Sequence, residues 1–353
     1  MNIKIQKTEK SRLEETDFDD LGFGHIFTDH MFMMDYKDGR WQDPRIVPFQ
    51  DLEFSPALIT LHYAQTIFEG MKAYHSKDGK INIFRPDVHA KRINSSARRL
   101  CIPEIDEKDF MQALTALLDI DREWVPKKEE ESLYIRPFIF GTDEYLGVAV
   151  SKTYRFMIIM SPVSRYYKEG LSPISLMTSG EFTRACEGGT GNIKSGGNYA
   201  SSLYPAELAK EKGYAQILWL DNKEHKYVEE VGTMNILFLF EDELVTAPLE
   251  GTILAGVTRD SILTIAKAWG YNVSERKLSI DEVLSRAEDG SLKEVFGAGT
   301  AAIVSPVGRI SHLGKVVTIN NNETGEFSKR IYDELNSIRY GEIEDTHGWN
   351  LSI

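Results

Sequence analysis

The stretch Gly188-Gly-Thr-Gly-Asn-Ile-Lys194-Ser-Gly-Gly-Asn-Tyr199 limits this chain more than any other. Five glycines surround one lysine, with an asparagine before it and a tyrosine after it. Glycine lets backbone approach a neighbour closely and adopt turns closed to other residues. A lysine on a solvated loop needs no such company, whereas one that must lie against a flat cofactor does. Lysine is also the side chain that forms Schiff bases with carbonyl groups. Taken alone, the stretch also fits a flexible surface turn with an incidental lysine.

Two other uses of such a loop fail on the residues. A phosphate-cradling P-loop needs glycine immediately before a Lys-Ser pair. Ile193 stands there. A dinucleotide fingerprint is suggested later by Gly297-Ala-Gly-Thr-Ala-Ala302, after the strand-like Leu292 to Phe296. That motif requires a following helix and an acid about twenty positions on. The chain continues instead as Ile303-Val-Ser-Pro-Val307, a strand pattern broken by proline, and Val316 to Asn320 holds no acid.

A length of 353 residues suggests about two domains, ample for a sizeable core. The net charge of -13, with no long basic run, argues against a nucleic-acid partner. An anionic small ligand remains open, because local fields can oppose net charge. Met1 to Lys7 lacks the apolar core of a signal peptide, and no apolar run approaches membrane-spanning length. Cys101 and Cys186 form neither a disulfide framework nor a metal spacing, so a reduced, cytoplasmic protein is expected.

Residues 1–50 are polar and aromatic, with few long periodic runs. Leu58 to Tyr63 and Lys80 to Phe84 read as strands. Pro86 opens a helix in which Ile93, Ala97 and Leu100 recur at helical spacing, with Arg92 at the edge of the stripe. Phe110, Leu114, Leu117 and Leu118 continue the helical pattern towards Trp124. Leu133 to Phe140 and Tyr154 to Met160 read as strands. Residues 1–163 form the expected smaller N-terminal domain, 164–173 a polar linker and 174–353 a larger cofactor-binding domain. In the latter, Ile174 to Thr178, Ile217 to Leu220 and Met234 to Phe240 read as strands. Tyr199 to Lys212, Thr258 to Trp269 and Ser328 to Tyr340 read as helices, and Ser279-Ile-Asp-Glu282 as a capping box.

Six segments in order resemble the branched-chain amino-acid aminotransferases, pyridoxal-phosphate enzymes of fold type IV. They are Phe68-Glu-Gly70, Tyr134-Ile-Arg-Pro137, Asn192 to Tyr199, Glu230-Val-Gly-Thr-Met-Asn235, Gly251 to Asp260 and Gly297 to Ala301. The resemblance runs over nearly the whole chain. It implies an α/β (α+β) fold of two domains with the cofactor, pyridoxal 5'-phosphate, at their interface. It also implies reversible amino transfer from L-leucine, L-isoleucine or L-valine to 2-oxoglutarate.

The same resemblance assigns roles. Lys194 matches the lysine that holds the cofactor as a Schiff base and then moves the substrate proton. Tyr199 matches the partner of the cofactor's phenolate oxygen. Glu230 matches the acid at the pyridine nitrogen, with Glu229 on the opposite strand face. Arg92, Val257, Thr258 and Thr300 match phosphate contacts, and Thr233 lies in the same cofactor-binding segment as Glu230. Tyr63, Phe68, Tyr134 and Tyr166 match aromatic walls around an aliphatic side chain, and Gly70 a close backbone approach. Thr300 and Ala301 match contacts to the α-carboxylate, and Arg136 the arginine that receives glutamate's side-chain carboxylate. Leu146 and Val148 match a loop that reaches a partner subunit, so a homodimer is implied. No metal is implied.

Each aromatic taken singly is equally well explained by core packing, and Arg92 by a surface helix. The chain departs from mammalian members, whose Cys-x-x-Cys pair is replaced here by Ala302 and Ser305. D-amino-acid aminotransferases and aminodeoxychorismate lyases share the cofactor residues and stand as the alternative within the fold type. A nucleotide-binding oxidoreductase and a non-catalytic binding homologue are the readings from other classes.

Overall fold

In the computed structural model, which describes residues 1–164 and 170–353, contacts divide the chain into two units. The first comprises Met1–Tyr166, Lys194–Gly196 and Asn336–Ile353, the second Tyr167–Ile193 and Gly197–Leu335.

The first unit begins where periodicity is weakest. After β1 (Lys4–Ile5), β2 (His30–Lys37) and β3 (Arg40–Pro48) form an antiparallel hairpin. Its turn is Asp38-Gly39, both at positive φ, the pair that a two-residue hairpin turn favours. Leu58 to Tyr63, expected as a strand, holds a short helix instead, α1 (Ile59–Tyr63). Only Ile59 in it is buried, and Ala64 in the left-handed region ends it, so burial selects one turn of helix over β-branched propensity.

β4 (Thr66–Phe68) and β5 (Met71–His75) lie end to end along β7 (Ser132–Gly141). The chain steps between them at Glu69-Gly70, where Glu69 N–H donates to Pro137 O at 2.7 Å. β6 (Ile81–Phe84) and β8 (Tyr154–Val163) extend the sheet. Along β7 the side chains alternate. Leu133, Ile135 and Ile139 are fully buried against α2 (Pro86–Arg99) and α3 (Glu107–Ile120), whereas Tyr134, Arg136 and Phe138 take the opposite face and are half-buried.

The second unit holds β9 (Ile174–Thr178), α4 (Gly196–Ser201), α5 (Leu203–Glu211), β10 (Gln216–Leu220) and β11 (Val228–Val231). Next come β12 (Met234–Phe240), β13 (Leu244–Thr246), α6 (Val257–Ala268), β14 (Val273–Glu275) and α7 (Ile280–Glu288). β15 (Leu292–Gly299), β16 (Ile303–His312) and β17 (Lys315–Thr318) complete it. The strand order is β11-β10-β9-β16-β15-β12-β13-β14, and β11 also pairs β12, so the sheet closes on itself.

The single helix expected over Tyr199 to Lys212 is two, interrupted at Ser202. Pro205, with no N–H to give, falls in the first turn of α5, where that donor has no helical partner anyway. β16 runs through Pro306, because its ladder with β9 begins only at Val307. Ser279 caps α7 by accepting from Glu282 N–H at 3.1 Å, but the Glu282 carboxylate pairs with Arg276.

The C-terminus departs from the expected domain plan. α8 (Glu326–Arg339) is followed by β18 (Asn350–Ser352), which pairs β6. The closing segment Asn336–Ile353 therefore groups with the first unit rather than with 174–335. Lys194–Gly196 groups there too, through its backbone contacts with β4 and α2.

Candidate active site

In the first unit, α2 presents His89, Arg92 and Ser96 along one face, at i, i+3 and i+7. Glu69 meets two of them. Arg92 donates from Nε to Oε1 and from Nη2 to Oε2, each at 2.7 Å, in a bidentate pair. His89 Nδ1 lies 2.6 Å from the same Oε2. Glu69 is fully buried. Burial alone would raise its carboxyl, but the charge of Arg92 and then His89 overrule it and hold Glu69 well below the usual carboxylate range. Burial pushes His89 down, against the pull of Glu69.

Lys194 sits beside this network on a pinned backbone. Its N–H donates to Ser96 Oγ at 3.1 Å, its carbonyl accepts from Phe68 N–H at 3.0 Å, and Ser195 bridges Ile67. The ammonium lies 4.7 Å from the Phe68 ring centroid. Burial, then Arg92, pushes it down to about 8. The amine is therefore available near neutral pH, as a nucleophilic lysine requires.

Arg136 stands between two rings, 4.8 Å from the Phe68 centroid and 5.2 Å from that of Tyr134. It donates to the Tyr134 hydroxyl at 2.9 Å, and its buried Nε–H has no hydrogen-bond partner. A buried guanidinium edge left this way fits a carboxylate ligand. Gly70 is required by packing, since a Cβ there would lie 2.9 Å from Tyr134 Cζ. Lys72, opposite Tyr134 in register, is buried, and burial followed by Arg339 pushes it down to about 7.

The structure thus brings Lys194, Arg92, Phe68, Gly70, Tyr134 and Arg136 together. It does not bring Tyr63, Leu146 and Val148 into that group. The Tyr63 hydroxyl donates to Leu146 O, and Leu146 and Val148 are 64% and 85% exposed. Tyr166 lies outside the described residues.

In the second unit the hairpin of β11 and β12 turns at Gly232-Thr233 and sets Glu230 opposite Asn235. Glu230 is buried. Its Oε1 accepts from Leu254 N–H at 2.9 Å and from Asn235 Nδ2 at 3.2 Å. Asn235 also donates to Leu254 O at 2.9 Å, which fixes the approach to α6. Gly256, the extended residue before α6, has no side chain to cap the helix, and Val257 and Thr258 are buried in its first turn. A helix start of this kind suits an anion. Glu229 takes the other face of β11, as alternation requires, and lines a separate cavity with Lys223, Tyr227 and Thr252.

Thr233 is exposed in the hairpin turn, and Tyr199 is half-buried in α4. Thr300 and Ala301 are half-buried in the turn between β15 and β16. Gly297 and Gly299 precede that turn and belong to β15. There they admit Met234, whose Cε and Cγ would lie 2.9 and 3.1 Å from a Cβ at each position. Asn198 pins the segment before Lys194, donating to Thr190 O at 2.6 Å and Ile193 O at 3.0 Å.

Sequence reasoning missed Glu69, His89, Ser96, Asn198 and Asn235 as supports. Glu69, Asn198 and Asn235 lie inside the very segments it selected. The spacing of His89, Arg92 and Ser96 beside the apolar Ala90, Ile93 and Ala97 was the available signal for α2.

A family model described as amino-transferase class IV matches residues 66–310. The chain is 49% identical to branched-chain-amino-acid aminotransferase 2 of Bacillus subtilis (strain 168), over 100% of this chain and 97% of that one. The crystal structure of Escherichia coli branched-chain amino acid aminotransferase superposes with a TM-score of 0.74 at 28% identity, covering 91% of this chain and 98% of that one. A T.th. branched-chain amino acid aminotransferase complexed with N-(5'-phosphopyridoxyl)-L-glutamate gives a TM-score of 0.73 at 26% identity, covering 90% of this chain and 97% of that one.

Proposed function

Since the chain belongs to the class IV aminotransferases, with full-length relatives that are branched-chain enzymes, we propose the following division of labour among its residues. The reaction is reversible transamination of L-leucine, L-isoleucine and L-valine with 2-oxoglutarate, giving branched-chain 2-oxo acids and L-glutamate. The cofactor is pyridoxal 5'-phosphate.

The residues fit that group on three observations. Lys194 offers a lysine amine lowered to about 8, α6 offers a start with no side-chain cap, and Glu230 offers a buried carboxylate. When bound, the cofactor supplies a carbonyl carbon for the amino group and a conjugated ring that takes up the electron pair released at the substrate Cα. Lys194 holds it covalently, and its freed amine carries the proton from Cα. Glu230 pairs with the ring nitrogen and Tyr199 with the ring oxygen. Arg92, held by Glu69, and the backbone at Val257 and Thr258 take the phosphate, with Thr300 and the segment of Thr233 completing the cofactor contacts.

Phe68, Tyr134 and Gly70 shape the wall against an aliphatic side chain, joined by Tyr166. Thr300 and Ala301 meet the α-carboxylate. Arg136 receives the side-chain carboxylate of glutamate. Tyr63, whose hydroxyl donates to Leu146 O, adds to the aromatic wall, and Leu146 and Val148 reach the pocket of a second copy of the chain. The exposed apolar residues Leu61, Tyr145, Leu146, Val148 and Val150 support a homodimer. A cytoplasmic location is part of the same reading, supported by two free, exposed cysteines.

The observation that carries this assignment is the lowered amine of Lys194 on a backbone fixed at both ends. Borohydride treatment of the loaded protein, followed by peptide mapping, tests it directly. The cofactor should be found on Lys194, and half-reactions should run with L-leucine but not D-alanine. Attachment at another lysine, or D-alanine turnover, would refute the reading.

A further inference from the structure

Beside Glu230 lies a residue to which neither the motifs nor the family resemblance gave a role. Arg184 Nε is 3.1 Å from Glu230 Oε2, and the Arg184 side chain is 8% exposed. The contact is one of charge, because Nε–H has no aligned acceptor. From Nη2 the same guanidinium donates to Gly191 O at 3.1 Å and to Thr252 O. One side chain thus joins three segments: the glycine loop three residues before Lys194, the approach to α6, and β11. The loop and the α6 approach are already tightly packed. A Cβ at Gly191 would lie 3.0 Å from Thr252 C and overlap Thr252 O and Ala185 Cβ.

Arg184 also faces a second acid. Glu229 is 7% exposed, and its Oε2 has no hydrogen-bond partner. Burial raises its carboxyl, against a Thr252 hydrogen bond and the charge of Arg184. Two consecutive buried carboxylates on β11 therefore draw on the Arg184 cation. Removing it would raise the proton affinity of both.

We propose that Arg184 is a positioning residue of the transamination site, setting a cation against the Glu230 carboxylate and fixing the loop before Lys194 to the approach to α6. The proposal rests on the reading of Glu230 as partner of the cofactor's ring nitrogen. The cation acts more strongly on Glu230 than on anything beyond it, since the interaction falls with distance. Its removal raises the proton affinity of Glu230 most, so a proton shared with the ring nitrogen moves to the carboxylate.

The test uses protein loaded with cofactor labelled isotopically at the ring nitrogen and reads that nitrogen by NMR at neutral pH. The parent and Arg184→Lys should show a protonated nitrogen, and Arg184→Gln an unprotonated one. The leucine half-reaction of Arg184→Gln should slow by roughly 10–100-fold, the scale for losing a residue that orients a ligand-bearing group. A protonated nitrogen in Arg184→Gln overturns the electrostatic role. Arg184→Lys, which keeps the charge but cannot fork to two carbonyls, decides the loop role even if Arg184→Gln does not fold. It should be cleaved faster by protease within 186–193 and should capture cofactor more slowly, and parental behaviour in both overturns that role. A parent that forms no link at Lys194 would instead sink the reading of the site itself.

Discussion

Glu69 in the first unit and Glu230 in the second are both buried carboxylates beside an arginine, and they differ in their donors. Glu69 is met mainly by side chains of one helix, Arg92 and His89, in a charged network. Glu230 receives neutral donors at Oε1, a backbone N–H and an amide, with Arg184 contributing charge rather than an aligned bond at Oε2. A carboxylate neutralised by a bidentate arginine is committed to holding that arginine. One oriented by neutral donors keeps more of its charge for a ligand. The first unit therefore holds clustered cations, Lys194, Arg92 and Arg136, whereas the second holds Glu230 on the β11–β12 hairpin.

The difference is open to attack residue by residue. Lys194→Ala should have the largest effect. Steady turnover should fall by at least about 10²–10⁴-fold, the contribution of proton transfer alone. A circular-dichroism spectrum matching the parent would separate that loss from misfolding, and near-normal turnover would remove Lys194 from the mechanism.

Glu69→Gln leaves a buried guanidinium without its counter-charge. Loss of one partner of such a pair costs about 3–5 kcal/mol, read as a shift in the urea midpoint. If the midpoint barely moved while the rate collapsed, Glu69 would belong with Glu230 and the contrast would dissolve.

Arg136→Gln should split the two substrates. Glutamate brings a carboxylate that is costly to bury unpaired. Its half-reaction should lose about 2–5 kcal/mol, while that of leucine changes far less. Equal losses would make Arg136 a structural support of Tyr134 and Phe68.

Glu230→Gln preserves shape and the Asn235 and Leu254 contacts can largely persist. Stability should fall less than in Glu69→Gln, because Glu229 still balances the buried Arg184, and the proton-transfer step should slow by about 10²–10³-fold, the scale for one preorganised electrostatic contact. Single-turnover kinetics would isolate that step, and an unchanged step would redirect attention to Glu229.

The mildest expectation concerns pH. Burial lowers Lys194 from the ordinary 10.5 to about 8, so its neutral, nucleophilic form appears as pH rises through about 8. Cofactor capture by protein freed of cofactor should follow that midpoint. The same sign makes this lysine disfavour the folded state at lower pH and cease to do so as pH rises between about 8 and 10.5. A capture midpoint near 10.5 would show that burial does not set the amine.

Much of the fold was legible because its signals are local. The alternation of Leu133 to Phe140 and the helical spacing of Ile93, Ala97 and Leu100 depend only on where successive side chains point. The β2–β3 hairpin was legible in principle from Asp38-Gly39, but mixed polarity in the flanking strands hid it. The short helix at Ile59–Tyr63 was not, because packing of Ile59 alone decided it. Of the candidate site, residue types and order along the chain were readable, whereas the partners that set their charge were not. Arg184 and Glu230 are far apart in sequence, and so are Glu69 and Arg92.

The sequence by itself determined the family, the class of reaction and most of the elements that bear the candidate residues, since identity and short-range periodicity are properties of the chain. Tertiary structure decided the ionisation of Lys194, the commitment of Glu69 to Arg92, and the assignment of the C-terminal Asn336–Ile353 to the first unit. Those depend on desolvation and on charges brought close from distant positions. Both quantities exist only once the chain has folded.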